Sequence, residues 1–178
     1  HLIKADEIGH ELMQPGHPVY DAIVERFGRE ILNTDGTISR PRLADAVFPT
    51  GRIGELNAIV HPAVIAAEKK WMQAVFASNP KAVAIVEAAL MLEAGSWKYF
   101  DRMITVVCPL ELKIERFAGR HGISREMAKA EVERRMKAQA SDQEKVRISQ
   151  YVIENCGDLA DTRKTVEQIW GELKKASG

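Results

Sequence analysis

The stretch "KAVAIVEAALMLEAG", residues 81–95, decides the fold class, because its first half is apolar at consecutive positions. The apolar run extends from Ala82 to Val86 and ends at an acid, Glu87. A strand with one face in water alternates apolar and polar residues, whereas a strand covered on both faces reads as a continuous apolar run. Strands of that kind belong to parallel sheets with helices on both sides. The stretch therefore predicts an α/β fold.

Similar short runs occur at three other places, residues 1–6, 102–109 and 150–157. Two of these runs precede sequences with helical spacing, one that begins near Leu110 and one that extends from about Leu159 to Lys175. Strands that alternate with helices in this way are typical of a doubly wound parallel sheet. The chain of 178 residues suits a single domain, with room for an inserted lobe.

Residues 7–78 differ from the rest of the chain, because nearly all of them follow helical spacing. The turn "NTDGT", residues 33–37, interrupts them with an Asp-Gly pair. Pro62 suits the first turn of a helix, where its missing N–H is not needed. Successive helices are predicted over residues 7–13, 17–32, 40–47 and 53–60, and from Pro62 to about Ala77.

Charge and composition exclude several classes of protein. Lys and Arg number 25 and so do Asp and Glu, so the chain lacks the basic surplus expected for binding nucleic acid or an anionic membrane. No apolar stretch is long enough to span a bilayer, and no secretion signal opens the chain. Cys108 and Cys156 lie in or beside apolar runs, which favours small buried packing groups in a reducing compartment. We therefore expect a soluble cytoplasmic protein.

Acidic residues at the ends of the predicted strands are candidates for chemistry, since function in parallel sheets collects at the carboxyl ends of the strands. Asp6 ends the first run, Glu87 the second, and the last run ends in Glu154 to Gly157. Two acids from neighbouring strands would suit a general base and a ligand of magnesium or water. An equally good interpretation of Asp6 is a helix N-cap. The alternative interpretation of Glu87 is a solvated residue at the end of a strand.

Arginines are concentrated in one stretch of twenty residues, residues 116–135. Arg116 and Arg120 are four residues apart and share one side of a helix. Ser124 is placed as the N-cap of a charged helix from Arg125 to about Gln139. A mobile flap that presents arginine to a transferring phosphoryl group is one interpretation. Surface salt bridges with the glutamates of the same helix are the other.

Several segments together are distinctive. They are "ADEIGHELMQPGHPVYDAIVERFG" (5–28), "ILNTDGTISRPRLADAVF" (31–48), "IVHPAVIA" (59–66), "EAALMLEAG" (87–95), "RRMKAQ" (134–139) and "VIENCG" (152–157). In this order and spacing they resemble dephospho-coenzyme A kinase over almost the whole chain. The resemblance implies a phosphate-loop kinase with a three-layer parallel sheet. It also implies a helical coenzyme-binding lobe at residues 7–78 and a helical lid at residues 116–142.

The same resemblance implies an activity. Members of this family use ATP and magnesium to phosphorylate the ribose 3′-hydroxyl of dephospho-coenzyme A, the last step of coenzyme A synthesis. They begin with a strand, a glycine-rich phosphate loop and a helix, but no G-x-x-x-x-G-K-[ST] motif occurs in residues 1–178. We therefore expect an N-terminally truncated member, whose 178 residues alone are inactive.

The family pattern also implies roles for individual residues near the strand ends. Asp6 corresponds to the general base, and Glu87 stands for an aspartate as an electrostatic partner that binds the substrate. Lys4 replaces the first acid of an Asp-Ala-Asp motif, so no metal ligand is assigned. His61 corresponds to a substrate contact, although packing and capping of a helix that begins at Pro62 is an equally good interpretation.

In the second half of the chain, the resemblance implies phosphate and adenine sites. Arg116, Arg120 and Arg135 correspond to lid residues that face phosphate, and Asn155 and Gly157 to a turn against adenine. Two alternatives remain. One is a non-catalytic remnant that binds coenzyme A or dephospho-coenzyme A. The other is a different phosphate-loop kinase, but such proteins would lack the "HPVYDAIVERFG" helix at residues 17–28.

Overall fold

Two short parallel sheets carry the strand–helix alternation predicted from the sequence. The computed structural model describes residues 1–177, which fall into two compact units with their boundary in the sequence between Ala89 and Leu90. In the first unit β1 (Leu2–Lys4) pairs with β2 (Ile85–Glu87), and in the second β3 (Ile104–Val107) pairs with β4 (Tyr151–Glu154). Both pairs are parallel, which confirms the α/β prediction.

The first unit is mostly helical, and its core lies among its first helices. Its helices are α1 (Ala5–Leu12), α2 (Pro18–Phe27), a 3₁₀ helix (Arg29–Ile31), α3 (Arg40–Val47) and α4 (Ile53–Ser78). The buried core comprises Val19, Ile23, Phe27, Ile31, Leu43 and Val47. These side chains come from α2, the 3₁₀ helix and α3, and the side chains of α4 pack against them.

Helix α4 corrects the prediction of two helices separated before Pro62. It is continuous over 26 residues, with Pro62 inside it. A proline there removes one backbone hydrogen bond and costs about 3 kcal/mol in a helix interior. Leu56 and Ile59 before the proline and Ala63 after it all pack against the same core. Burial on both sides of Pro62 therefore offsets the cost of the missing hydrogen bond.

The predicted helix over residues 17–32 is also wrong in its last five residues. Helix α2 ends at Phe27, because Gly28 adopts a φ of 86°, a left-handed value that glycine adopts without strain. The turn that follows at residues 33–37 is confirmed. There the Asp35 carboxylate accepts hydrogen bonds from Thr37 N at 3.0 Å and from Thr37 Oγ1 at 2.6 Å.

The second unit builds a helical hairpin beside its sheet. Its helices are a 3₁₀ helix (Ser96–Tyr99), α5 (Leu110–His121), α6 (Arg125–Lys137), α7 (Asp142–Ile148) and α8 (Leu159–Ala176). Ile114 from α5 packs with Ala128 and Val132 from α6 in a small core. The predicted cap is confirmed, since Ser124 Oγ accepts a hydrogen bond from Met127 N at 3.2 Å.

Helix α7 was not predicted, although its signal is present in the sequence. Ser141 and Glu144 form a reciprocal capping box, in which Ser141 N donates to Glu144 Oε2 at 2.8 Å and Glu144 N donates to Ser141 Oγ at 3.2 Å. Lys113 Nζ, on α5, pairs with Asp142 at 2.6 Å. Ser149 Oγ lies 2.6 Å from Thr105 Oγ1 and so joins the end of α7 to β3.

Within residues 1–177, none of the helices combines the length and apolar character needed to cross a membrane.

Candidate active site

The carboxyl ends of β1 and β2 bring the predicted acids of the first unit to one edge. The two strands are in parallel register, with Lys4 opposite Glu87 as the last residue of each. Asp6 follows β1 directly in the first turn of α1. We call Lys4, Asp6, Glu7 and Glu87 the strand-end edge. The sequence predicted the acids at neighbouring strand ends, and the register of β1 and β2 confirms that placement.

The N-cap alternative for Asp6 is wrong. Lys4 occupies the N-cap position of α1, and no side chain caps the helix there. Asp6 is exposed and lies one position inside the first turn, where the positive end of the helix dipole stabilises a carboxylate. The helix begins two residues earlier than predicted, and this shift moves Asp6 from the cap into the helix.

Lys4 supplies the positive charge of the strand-end edge. Its Nζ donates a hydrogen bond to Glu7 Oε1 at 2.9 Å. This hydrogen bond, the charge of Glu7 and, more weakly, the charge of Glu87 raise the pKa of Lys4. The side chain is 48 % exposed, so it lies at the surface, paired with Glu7.

His61 and Glu68 lie on α4. His61 is half-buried and precedes Pro62 inside a continuous helix, so the capping alternative for His61 is wrong. Glu68 is only 3 % exposed, and burial raises the pKa of its carboxyl. Sequence reasoning missed Glu68, although a single acid in the apolar stretch "AVIAAE", residues 63–68, was a signal for it.

A cavity of about 370 Å³ in the second unit collects positive charge. Five cationic side chains line this basic cavity: Lys113, Arg116, Arg120, Arg135 and Lys145. The acid among its lining residues is Asp142. The three arginines expected to face phosphate therefore share one cavity, and two lysines that sequence reasoning missed join them.

Most of these cations are already held by neighbouring groups. Arg116 Nη1 donates to the Asn155 carbonyl at 2.9 Å and to Cys108 Sγ at 3.8 Å. Lys113 pairs with Asp142, and Lys145 Nζ donates to Gln139 Oε1 at 2.8 Å. These contacts orient the side chains before any ligand binds, which reduces the entropy lost on binding.

Arg135 and Arg120 differ in their partners. Arg135 Nε donates to Glu131 Oε1 at 2.8 Å, and its guanidinium lies 5.0 Å from the Phe117 ring centroid. Hydrogen bonds from Arg134 and Arg135 lower the pKa of Glu131 to about 2. Arg120 is exposed, and within residues 1–177 its guanidinium makes no hydrogen bond or ion pair. Its charge is therefore available to an anion.

The turn after β4 carries the residues expected against adenine. Asn155 N donates to the Val107 carbonyl at 2.9 Å, and Asn155 Oδ1 accepts from Thr162 Oγ1 at 3.3 Å. A Cβ on Gly157 would meet only Asp161 Oδ2 at 3.5 Å, so the space around it does not by itself require a glycine. Cys156 is exposed and Cys108 half-buried, so the prediction of a buried packing thiol is wrong for Cys156.

The donor set at the strand-end edge does not fit a cation held by the protein. Mg²⁺ takes six oxygen ligands, and a site built by protein needs several carboxylates that face one point. Within residues 1–177, no group of three or more His, Cys, Asp or Glu side chains could hold a metal. At the edge itself, the Lys4 ammonium already bonds one of the carboxylates.

Acids at strand ends in an α/β fold and a basic cavity are features expected of a phosphotransferase of small molecules. Comparison with known proteins makes the class specific, because the dephospho-CoA kinase family model matches residues 1–161. The chain belongs to the dephospho-CoA kinase family. A dephospho-CoA kinase of Aquifex aeolicus is 35 % identical over 98 % of this chain and 86 % of its own length. One of Moorella thermoacetica is 34 % identical over 98 % and 81 %.

Solved structures agree with this assignment. The dephospho-CoA kinase of Campylobacter jejuni superposes with a TM-score of 0.67 at 26 % identity, over 99 % of this chain and 86 % of that one. The crystal structure of TT1252 from Thermus thermophilus gives a TM-score of 0.73 at 26 % identity, over 97 % and 84 %. The chain is therefore a kinase by family, and ATP and dephospho-CoA are the substrates that this family implies.

Proposed function

We propose that the protein transfers the γ-phosphoryl group of ATP, supplied with Mg²⁺, to the ribose 3′-hydroxyl of dephospho-CoA. The observation that carries the proposal is the strand-end edge, where the Asp6 carboxylate is exposed in the first turn of α1. Asp6 accepts the proton of the 3′-hydroxyl while the oxygen attacks the γ-phosphorus and ADP leaves. Glu87 lies on the neighbouring strand end and binds the substrate beside Asp6.

The basic cavity serves the nucleotide in this proposal. Phosphoryl transfer needs positioned positive charge around the phosphate oxygens. Arg120 supplies a guanidinium without a protein partner in the described chain, and Arg116 and Arg135 supply oriented ones. Asn155 and Gly157 form the adenine turn, and the Arg116 hydrogen bond to the Asn155 carbonyl links that turn to the phosphate site.

The remaining expectations support the same proposal. The helices of residues 7–78 serve as the coenzyme-binding lobe, in which half-buried His61 contacts the substrate, and residues 116–142 serve as the lid. A three-layer parallel sheet of the phosphate-loop type is the proposed core, supported by two parallel strand pairs with helices after their strands. The cytoplasm is the proposed place of action.

The missing sequence motif bears on activity. G-x-x-x-x-G-K-[ST] supplies the backbone N–H groups and the lysine that hold the β- and γ-phosphates, and residues 1–178 do not contain it. We expect these 178 residues alone to bind ATP poorly and to show negligible turnover. The same observation favours a second candidate function for a polypeptide of this sequence alone, namely non-catalytic binding of coenzyme A or dephospho-CoA.

The test is an assay of the natural protein at full length. Incubation with dephospho-CoA, ATP and Mg²⁺ should yield coenzyme A and ADP in equal amounts, separated by liquid chromatography. The 178-residue polypeptide is the matched comparison and should form neither product. Turnover of another metabolite in place of dephospho-CoA by the full protein would refute the proposed substrate.

A further inference from the structure

The strand-end edge has an excess of negative charge that phosphoryl transfer must overcome. Asp6, Glu7 and Glu87 place three carboxylates there, and Lys4 is the cation among these four residues. The γ-phosphoryl group is itself anionic, and like charges at such an edge repel each other. A reaction at Asp6 therefore needs a positive charge close to the strand ends.

Lys4 lies where such a charge would act. It is the last residue of β1, the N-cap of α1 and the register partner of Glu87, and it is two residues from Asp6. An ammonium has three donors, and Glu7 Oε1 accepts from one of them at 2.9 Å. The side chain is 48 % exposed, and a surface pair of this kind contributes little to folding stability. Its place at the strand end therefore calls for a role beyond stability.

The alternative source of charge, a cation held by these carboxylates, is disfavoured by the same geometry. The Lys4 ammonium bonds Glu7, and Lys4 is the register partner of Glu87, so a positive charge is already present among the acids that a cation would need. It would also repel a divalent ion there. Magnesium in kinases keeps several waters and binds largely through the phosphates of the nucleotide.

We propose that Lys4 is a built-in cation of the strand-end edge, which contacts an oxygen of the transferring phosphoryl group and excludes a protein-held divalent ion from Asp6, Glu7 and Glu87. The inference rests on the proposed function, since it assigns Lys4 to the same reaction. Magnesium then reaches the reaction only with the nucleotide. Removing the positive charge of Lys4 slows phosphoryl transfer, and replacing it with a negative charge creates a cation site.

The decisive experiment measures Mn²⁺ binding by electron paramagnetic resonance, on the full natural protein without nucleotide or substrate. The variants are Lys4→Asp and Lys4→Met, and Lys70→Asp is the matched control, because Lys70 is an exposed lysine on α4. We expect Lys4→Asp to bind Mn²⁺ about tenfold or more tighter than the wild type, because a fourth carboxylate replaces a repelling ammonium. Lys70→Asp should leave the affinity unchanged. Equal affinities of Lys4→Asp and Lys70→Asp would overturn the inference.

A kinetic comparison tests the contact with phosphate. Lys4→Met should lower kcat by roughly 10–100-fold at saturating substrates, whereas Lys4→Arg should retain kcat within about threefold, since it keeps the charge. A kcat for Lys4→Met within about twofold of the wild type would overturn the assigned contact. The Mn²⁺ measurement contains no substrate, so its outcome does not depend on whether dephospho-CoA is the acceptor. Failure of the proposed function and failure of this inference are therefore distinguishable.

Discussion

The strand-end edge and the basic cavity hold opposite balances of charge. The edge has three carboxylates and one lysine on short strand ends, whereas the cavity has five cations and one lining acid on helices. At the edge, Asp6 is exposed in the first turn of α1. In the cavity, most cations are held by hydrogen bonds before a ligand arrives. In the proposed function, the two sites meet different demands of phosphoryl transfer: deprotonation of a hydroxyl at the edge and stabilisation of phosphate charge in the cavity.

The largest expected effect is on the edge. Asp6→Asn in the full natural protein should lower kcat by about 10²–10⁴-fold with little change in KM, because asparagine cannot accept the proton. The comparison requires kcat, KM and the melting temperature from one preparation. Since Asp6 does not cap α1, the melting temperature should stay close to that of the wild type. A fall in kcat of less than about tenfold would leave Asp6 without a catalytic role.

The matching change in the cavity should act on binding instead. Arg120→Met should raise the Kd for ATP by about tenfold, since a charge-assisted hydrogen bond to phosphate is lost. Arg125→Met is a matched control, because Arg125 pairs with Glu111 and does not line the cavity. Isothermal titration calorimetry of both variants measures the effect. Equal Kd values of the two variants for ATP would contradict the assignment of phosphate binding to the basic cavity.

A smaller effect concerns stability in the first unit. Burial raises the pKa of Glu68, so the folded state loses stability as pH rises from the ordinary value of 4.5 through the raised value. Glu68→Gln removes the cost of burying an ionised carboxylate. At pH 7 the variant should melt a few degrees higher than the wild type, which corresponds to about 1 kcal/mol of stability. The gain should vanish below pH 4.5, where both states of the wild type are protonated. Thermal melts of the variant and the wild type at pH 4 and pH 7 measure the difference. A variant that melts at a lower temperature than the wild type at pH 7 would contradict the argument.

The smallest effect concerns the second unit, where the sign is reversed. Arg134 and Arg135 lower the pKa of Glu131 to about 2, so its contribution to stability is present above pH 4.5 and is lost as pH falls towards 2. The two arginine side chains are more than half exposed, so solvent screening keeps the contribution of these two ion pairs small. Glu131→Gln should flatten the acid limb of the stability curve between pH 4.5 and 2. Denaturant titrations at several pH values measure that slope, and an unchanged slope would contradict the assignment.

The elements that local patterns specify were predicted well. Continuous apolar runs identified all four strands, and the capping serine of α6 was found because its hydrogen bond lies within four residues. The parallel pairing of two predicted strands brings their carboxyl ends to one edge, where the structure aligns Lys4 with Glu87. The site residues near strand ends could therefore be named in advance, although their roles stay predictions.

The failures arose where distant contacts outweigh local preference. Pro62 is a helix-starting residue by local chemistry, but packing of both flanks against one core makes α4 continuous. Tertiary packing, which no single stretch of sequence encodes, determines two further features. One is the burial of Glu68, and the other is the cavity that Lys113 and Lys145 line together with three arginines. Helix α7 is different, since its S-x-x-E signal was local and was overlooked.

Pro62 also gives α4 a mechanical property. A helix of 26 residues is about 39 Å long and behaves as a rod, but the Ala58 carbonyl lacks the amide donor that residue 62 would supply in an unbroken ladder. Bending stiffness is therefore lowest at this one turn. The stiffer segments of α4, residues 53–61 and 62–78, lie on either side of this turn.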